Sequence, residues 1–350
     1  MKKHLGTFAK VSIFFGVGIV MLYLVYQRQN IAFQADCFTK GTPVSECSLI
    51  SKIIDDISNA NYFWVIITMI LFMMTNVIRA LRWKMMFVAL GYKPKFINLF
   101  GTIMINYLAN LGVPRSGEVI RAGLISKYED IPVEKALGTI FTDRIFDVLM
   151  LAIVIGLAML VGGSDFLAYL DQNINLGAKL EGIMRNPILL VAILLGLLAI
   201  VYFAFAKRER LKSSVIGKKI YGLIAGFSDG VQSVKNVSSV PLFIFYTVSI
   251  WVLYYFMSYL AFYSFFPTSH LGPTEGLVVF VFGSLGILIP TPGGMGSYHY
   301  LVGEALAMYG VNGSDAFSFA NIVFFSIQIF INIIFGILSL IILPIINKEE

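Results

Sequence analysis

Charge is scarce in this sequence. Asp, Glu, Lys and Arg together make up 13% of its 350 residues, against about 25% in a typical soluble domain. A water-facing surface wrapped around a single core is therefore excluded. There are three histidines and two cysteines, and none stands at the spacing of a metal-ligand set, which argues against a zinc centre and a disulfide scaffold. No GxxxxGKS/T run occurs, so the sequence contains no phosphate-binding loop of that kind, and no cofactor or metal is expected.

Apolar residues fill the space that charge leaves. They form 58% of the chain, the mean hydropathy is +0.82, and several runs reach the roughly 18 residues needed to cross about 30 Å of hydrocarbon. This is the pattern of an all-α, polytopic membrane protein. The first run, over 11–26, follows Lys2, Lys3 and Lys10 and continues into "QRQNIAF" with no small-residue cleavage site. It reads as a retained first transmembrane helix.

About six full spans are expected, near 8–26, 61–81, 134–161, 187–206, 241–266 and 317–343. The net charge of +6 follows the positive-inside bias rather than marking nucleic-acid binding. Lys2, Lys3 and Lys10 place the N-terminus in the cytoplasm. The stretch 79–99, with Arg79, Arg82, Lys84, Lys93 and Lys95 and no acid, falls on the same side, as does the basic loop 207–240. Loops 27–60 and 162–186 carry more acid than base and lie outside. Both cysteines, Cys37 and Cys47, fall in the first outer loop, where an oxidising compartment would let them pair.

For these sides to agree, region 97–124 must enter and leave from the cytoplasm and region 275–309 from outside. Each then reads as a re-entrant or broken helical hairpin. The expected organisation is a single membrane domain over 1–350: a first helix and outer loop (1–60), a first half (61–206), the basic loop (207–240) and a second half (241–350). An apolar half-helix, a proline and a glycine turn recur in both halves, as in inverted-repeat transporters. Backbone of that kind survives at membrane depth only where protein buries it or a cavity meets it. In "ILIPTPGGMGSYHY", Pro290 and Pro292 end one helix, and Gly293, Gly294 and Gly296 open the next, where free N–H groups can face an anion. A surface loop is the plainer alternative.

Charged residues inside apolar segments are the candidate site. Arg115, Glu118 and Arg121 stand three residues apart and can share one helix face, either as a salt-bridge network or as an arginine pair that grips phosphate. In "TDRIFDVL", Asp143, Arg144 and Asp147 lie two or three turns inside the segment, where charges are costly and usually paired or functional. Asn321, Gln328 and Asn332 form a polar stripe, either helix–helix glue or a cavity wall.

Three ordered stretches, "NLGVPRSGEVIRAGLI", "TDRIFDVLML" and "PTPGGMGSYH", resemble the lysylphosphatidylglycerol synthase transmembrane-region family of flippase-like bacterial and archaeal membrane proteins. The resemblance runs from about 60 to 340. It implies movement of an anionic or aminoacylated phospholipid, or a polyprenyl-phosphate lipid, between leaflets of the cytoplasmic membrane, with a polar mid-membrane cavity and both termini cytoplasmic. Larger relatives carry a soluble aminoacyl-transferase domain. Here the chain ends at "INKEE" just after the last helix, so the expectation is a translocase that is not an enzyme. A lipid-modifying transferase and a non-transporting partner protein are the alternatives, and homo-oligomerisation is left open. One position departs from the family, since His299 stands where a glutamate is common after PGGxG. Glu304, five residues on, does not restore that geometry.

Overall fold

The structure, a computed structural model, describes residues 2–39, 47–162, 229–230 and 232–347. The expected span 187–206 and most of the basic loop lie outside the described residues, which contain no strand. Helix α1 (Lys2–Thr39) leads through a disulfide between Cys37 and Cys47, Cα atoms 6.3 Å apart, to the short α2 (Leu49–Ser58). Then come α3 (Tyr62–Ala89), α4 (Phe96–Gly112), α5 (Ser116–Glu129) and α6 (Val133–Val161). After the undescribed stretch follow α7 (Val240–Ala261), α8 (Pro273–Leu288), α9 (Ser297–Met308) and α10 (Gly313–Phe324). A π-helical segment, Phe325–Ile331, leads into α11 (Asn332–Ile346).

The helices start where the sequence offers acceptors. Ser48, Asn61, Ser239 and Asn312 each accept a backbone N–H through the side chain at the head of α2, α3, α7 and α10, satisfying donors that have no intrahelical partner. Four described stretches are long and apolar enough to cross a bilayer: Tyr62–Ala89, Val133–Val161, Val240–Ser264 and Gly313–Ile346. Only 17% of the most apolar window of Val133–Val161 is buried. A helix that apolar, with Leu149, Ile153 and Leu160 pointing outward, needs hydrocarbon rather than water around it.

Both regions read as broken in the sequence are helical hairpins. Val113, extended before Pro114, ends α4, and α5 doubles back along it. Ile289 and Thr291, each extended before a proline, end α8, and α9 returns beside it. With 17 residues in α4 and 16 in α8, each first arm is roughly 25 Å long at about 1.5 Å per residue, short of a full crossing. The two tips meet. Gly293 faces Leu111 of α4, and Arg115 Nη2 donates to the Leu288 carbonyl at 3.4 Å.

The core has two main parts, with α3 contributing to both. One gathers Val65, Leu151, Ile250, Val278 and Val302, and the other Trp83, Phe87, Ile103, Ile125 and Ile140. A small cluster of Phe72, Ile327 and Ile331 joins α3 to the π-helical segment. Helix α3 also brings a correction. The span expected to stop at 81 continues to Ala89, so Arg79 and Arg82 are not loop residues on the cytoplasmic side. Both are buried.

Candidate functional site

Arg79 stands four and three residues after Thr75 and Asn76 on α3 and Arg82 three further on, so the four share one helix face, and all are buried. Opposite them, α6 presents Asp143 and Asp147, one turn apart. Arg79 Nη1 donates to Asp143 Oδ2 at 2.9 Å and to Asp147 Oδ2 at 2.8 Å. Arg82 Nη2 donates to Asp143 Oδ1 and, at 3.1 Å, to Asp147 Oδ1. Each carboxylate thus accepts from both guanidinium groups. Arg82 Nη1 reaches Thr247 of α7 at 3.2 Å, and Arg79 Nη2 the Tyr254 hydroxyl at 3.4 Å, so three helices are tied by one network.

The network extends to α5. Arg144 lies 3.3 Å from Asp147 and 3.7 Å from Glu118. Arg121 is fully buried, has its guanidinium carbon 3.6 Å from the Trp83 ring centroid, and approaches Asp143 at 4.0 Å. Trp83 is itself fixed by donating from Nε1 to Thr139 Oγ1 at 2.9 Å.

Beside this cluster, between α3, α6, α7, α8 and the π-helical segment, is a cavity of about 250 Å³. Arg79, Arg144 and Asp147 form part of its wall, and Tyr107, Tyr254 and Gln328 add polar atoms. The rest is mostly apolar, including Leu151, Phe280 and Phe319, with Ser258 and Ser284 among it, and Ile287 and Leu288 lead to the second hairpin tip. A second groove of about 430 Å³, along Ile66, Met69, Met73 and Phe335, is lined only by apolar side chains. It offers nothing to bind charge, so the smaller cavity is the candidate site.

The sequence-predicted residues divide accordingly. Asp143, Arg144, Asp147, Glu118 and Arg121 come together, and Arg144, Asp147 and Gln328 line the cavity. Arg115 does not join Glu118 and Arg121 on one face. It sits ahead of the first turn of α5 with φ 62°, off the helical periodicity, and its side chain turns to the other hairpin. Glu118 meets Arg144 instead. Along the polar stripe the Asn321 amide donates to the Phe317 carbonyl at 2.7 Å, and the Asn332 amide donates to the Gln328 carbonyl at 3.1 Å and to its side-chain oxygen at 3.3 Å.

Pro292 and Gly294 are buried in the hairpin tip. The Gly294 and Met295 N–H groups donate to Thr291 and Pro292 within the turn itself. Gly293, Gly294 and Gly296 have φ of 58°, 86° and 79°, and a Cβ at Gly296 would lie 2.6 Å from the Leu22 backbone nitrogen of α1. What approaches this backbone closely is therefore α1. His299 is buried against Phe317 and Phe324, with ring centroids 4.7 Å apart for the latter pair, and its neighbour Tyr298 lines the cavity instead. Glu304 pairs with Arg28 of α1 at 2.9 Å.

Residues 48–336 match the family model described as the lysylphosphatidylglycerol synthase TM region. The chain belongs to that family. The family is described by the membrane region of a synthase, and this chain is a multi-pass integral membrane protein. It is 35% identical over 101 residues to a UPF0104 membrane protein of Methanocaldococcus jannaschii, covering 28% of this chain and 30% of that one. It is 25% identical over 207 residues to the glycosyltransferase AglD of Haloferax volcanii, covering 53% of this chain and 33% of that protein. The chain thus spans about a third of the length of these curated relatives. No solved structure matches it.

The glycosyltransferase match corrects one expectation. Setting this chain apart from enzymes rested on seeing no synthase domain. Yet over half its length it aligns with a protein named as a glycosyltransferase, in a family described by a synthase's membrane region. These relatives do not support excluding an enzyme.

Proposed function

We propose that the chain takes the headgroup of a membrane lipid into the cavity between α3, α6, α7 and α8 and passes it between leaflets, while the hydrocarbon tails stay in the bilayer. The observation that carries this reading is the division of the cavity wall. Arg79, Arg144 and Asp147 are its charged residues, and the rest is mainly aromatic and aliphatic, with Ser258, Ser284 and Gln328 interspersed. A phosphate is matched by a guanidinium fork, and a cavity of about 250 Å³ accommodates a headgroup without its chains. The meeting hairpin tips, next to Leu288, are where the two halves would move against each other as in alternating-access carriers. The remaining positive-inside bias, from Lys2, Lys3, Lys84, Lys93 and Lys95, supports cytoplasmic termini in a cell membrane.

A second reading, modification of the lipid inside the same cavity, is favoured by the likeness to a glycosyltransferase. One experiment separates the two. Pure protein in liposomes with labelled anionic, aminoacylated and prenyl-phosphate lipids should change their accessibility from outside, without changing their mass. Arg144→Ala should slow that exchange at least about tenfold, the cost of removing a hydrogen bond to a charged group. A change in lipid mass without exchange would replace translocation by transfer chemistry. An Arg144→Ala rate equal to wild type would move the route away from this cavity.

A further inference from the structure

The buried cluster is not neutral. The guanidinium groups of Arg79, Arg82, Arg121 and Arg144 face the carboxylates of Asp143, Asp147 and Glu118 in one contiguous network. Among the described residues this leaves one positive charge over. Arginine does not shed its proton in proteins, and an unbalanced charge in an apolar surround is costly.

The surplus can be located. Arg79 and Arg82 each bridge both aspartates, and Arg144 is held by Asp147 and Glu118. Arg121, fully buried, makes no hydrogen bond from Nε, Nη1 or Nη2. Its contacts are the face of Trp83 and the 4.0 Å approach to Asp143. Glu118, one turn before Arg121 on α5, is the residue that holds Arg144, and Arg144 opens onto the cavity with 38% of its side chain exposed, whereas Arg121 stays behind that wall. The surplus charge of the network is stabilised by an anion at the cavity wall, where Arg144 is the exposed member.

We infer that the cluster selects a lipid headgroup carrying one net negative charge, a phosphate in diester linkage, held by Arg144 at the cavity wall with the unbalanced charge of Arg121 behind it. This rests on the lipid-headgroup reading above and narrows its substrate class. A phosphodiester carries a single charge and matches the surplus. A phosphomonoester carries between one and two near neutral pH, and a lysyl ester adds ammonium groups that reverse the sign.

Competition binding by the full chain in nanodiscs of neutral phosphatidylcholine tests this. Fluorescent phosphatidylglycerol is displaced by unlabelled phosphatidylglycerol, a prenyl-phosphate monosaccharide, lysylphosphatidylglycerol, a prenyl phosphate monoester, and tailless glycerophosphoglycerol. The two diester monoanions should displace at concentrations roughly tenfold or more below the lysyl lipid and the tailless diester, the scale of a charged hydrogen bond. Arg121→Gln should erase the preference, Arg121→Lys should retain it, and Glu118→Gln, which adds to the surplus, should turn it toward the monoester. Lysyl lipid competing equally well overturns the inference, as does a folded Arg121→Gln variant with unchanged preference. Should that variant fail to fold, Glu118→Gln with unchanged preference does the same. Equal displacement by the tailless diester would make this a site for free anions. Monoanion selectivity without transbilayer movement would keep the inference and remove the translocation reading. Movement of lipids with no such selectivity would do the reverse.

Discussion

Asp143 is fully buried and accepts from both Arg79 and Arg82, so its carboxylate is what makes two arginines tolerable inside the helix bundle. Removing one partner from a buried ion pair leaves an uncompensated charge. Asp143→Asn should therefore lower stability by about 3–5 kcal/mol, read as a drop in melting temperature in detergent. A loss below about 1 kcal/mol would mean that water already solvates the pair. The acidic half of this cluster was legible in the sequence, because Asp143 and Asp147 interrupt a long apolar run one turn apart. The basic half was not. Arg79 and Arg82 precede Lys84 and look like the start of a cytoplasmic loop. The signal that could have found them is the buried-face spacing of Thr75, Asn76, Arg79 and Arg82.

At the scale of elements, the hairpins were legible from proline and glycine, because Pro denies the residue before it a helical conformation and the glycines permit the left-handed one. What those glycines face was not. Gly296→Ala places a Cβ 2.6 Å from the Leu22 nitrogen at φ 79°, and strain of this kind costs about 1–3 kcal/mol. Gly303, in mid α9, has nothing within 4 Å of an added Cβ, so Gly303→Ala should stabilise by about 0.5–1 kcal/mol through helix propensity. Thermal unfolding of the two variants side by side checks the contrast, and a Gly296→Ala variant as stable as wild type would detach α1 from the hairpin tip. The π-helical segment carried no sequence signal, since "FSIQIFI" is unremarkable in an apolar helix.

Over the whole molecule, the N-terminal elements clasp the second half. Besides Arg28 on Glu304, Lys52 of α2 donates to Asp56 at 2.5 Å and to Asp315 of α10 at 2.6 Å. Burial pulls the Lys52 ammonium's pKa down, but the hydrogen bonds to Asp315 and Asp56 outweigh it and hold the pKa above the ordinary 10.5. A pKa raised by folding contributes stability that is fully present below the unfolded value and lost as pH climbs through the folded one. The melting temperature should therefore fall as pH rises beyond 10.5, and Lys52→Met should lower it at neutral pH while flattening that alkaline decline. An equally steep decline in the variant would assign it to other groups.

The sequence by itself determined the class of this protein, four of its membrane-spanning helical stretches, the two hairpins and the family. Each of these is written in local composition: apolar length, proline and glycine punctuation, and short ordered motifs. The tertiary structure alone decided which charges meet. A carboxylate on α6 can be balanced by arginines on α3 or α5, and spacing within one helix says nothing about the neighbouring helix. Arg115, Glu118 and Arg121 looked like a unit because they stand three apart in sequence. A left-handed residue at the turn took Arg115 away, the approach of α6 gave Glu118 to Arg144, and Arg121 was left buried with its donors unfilled.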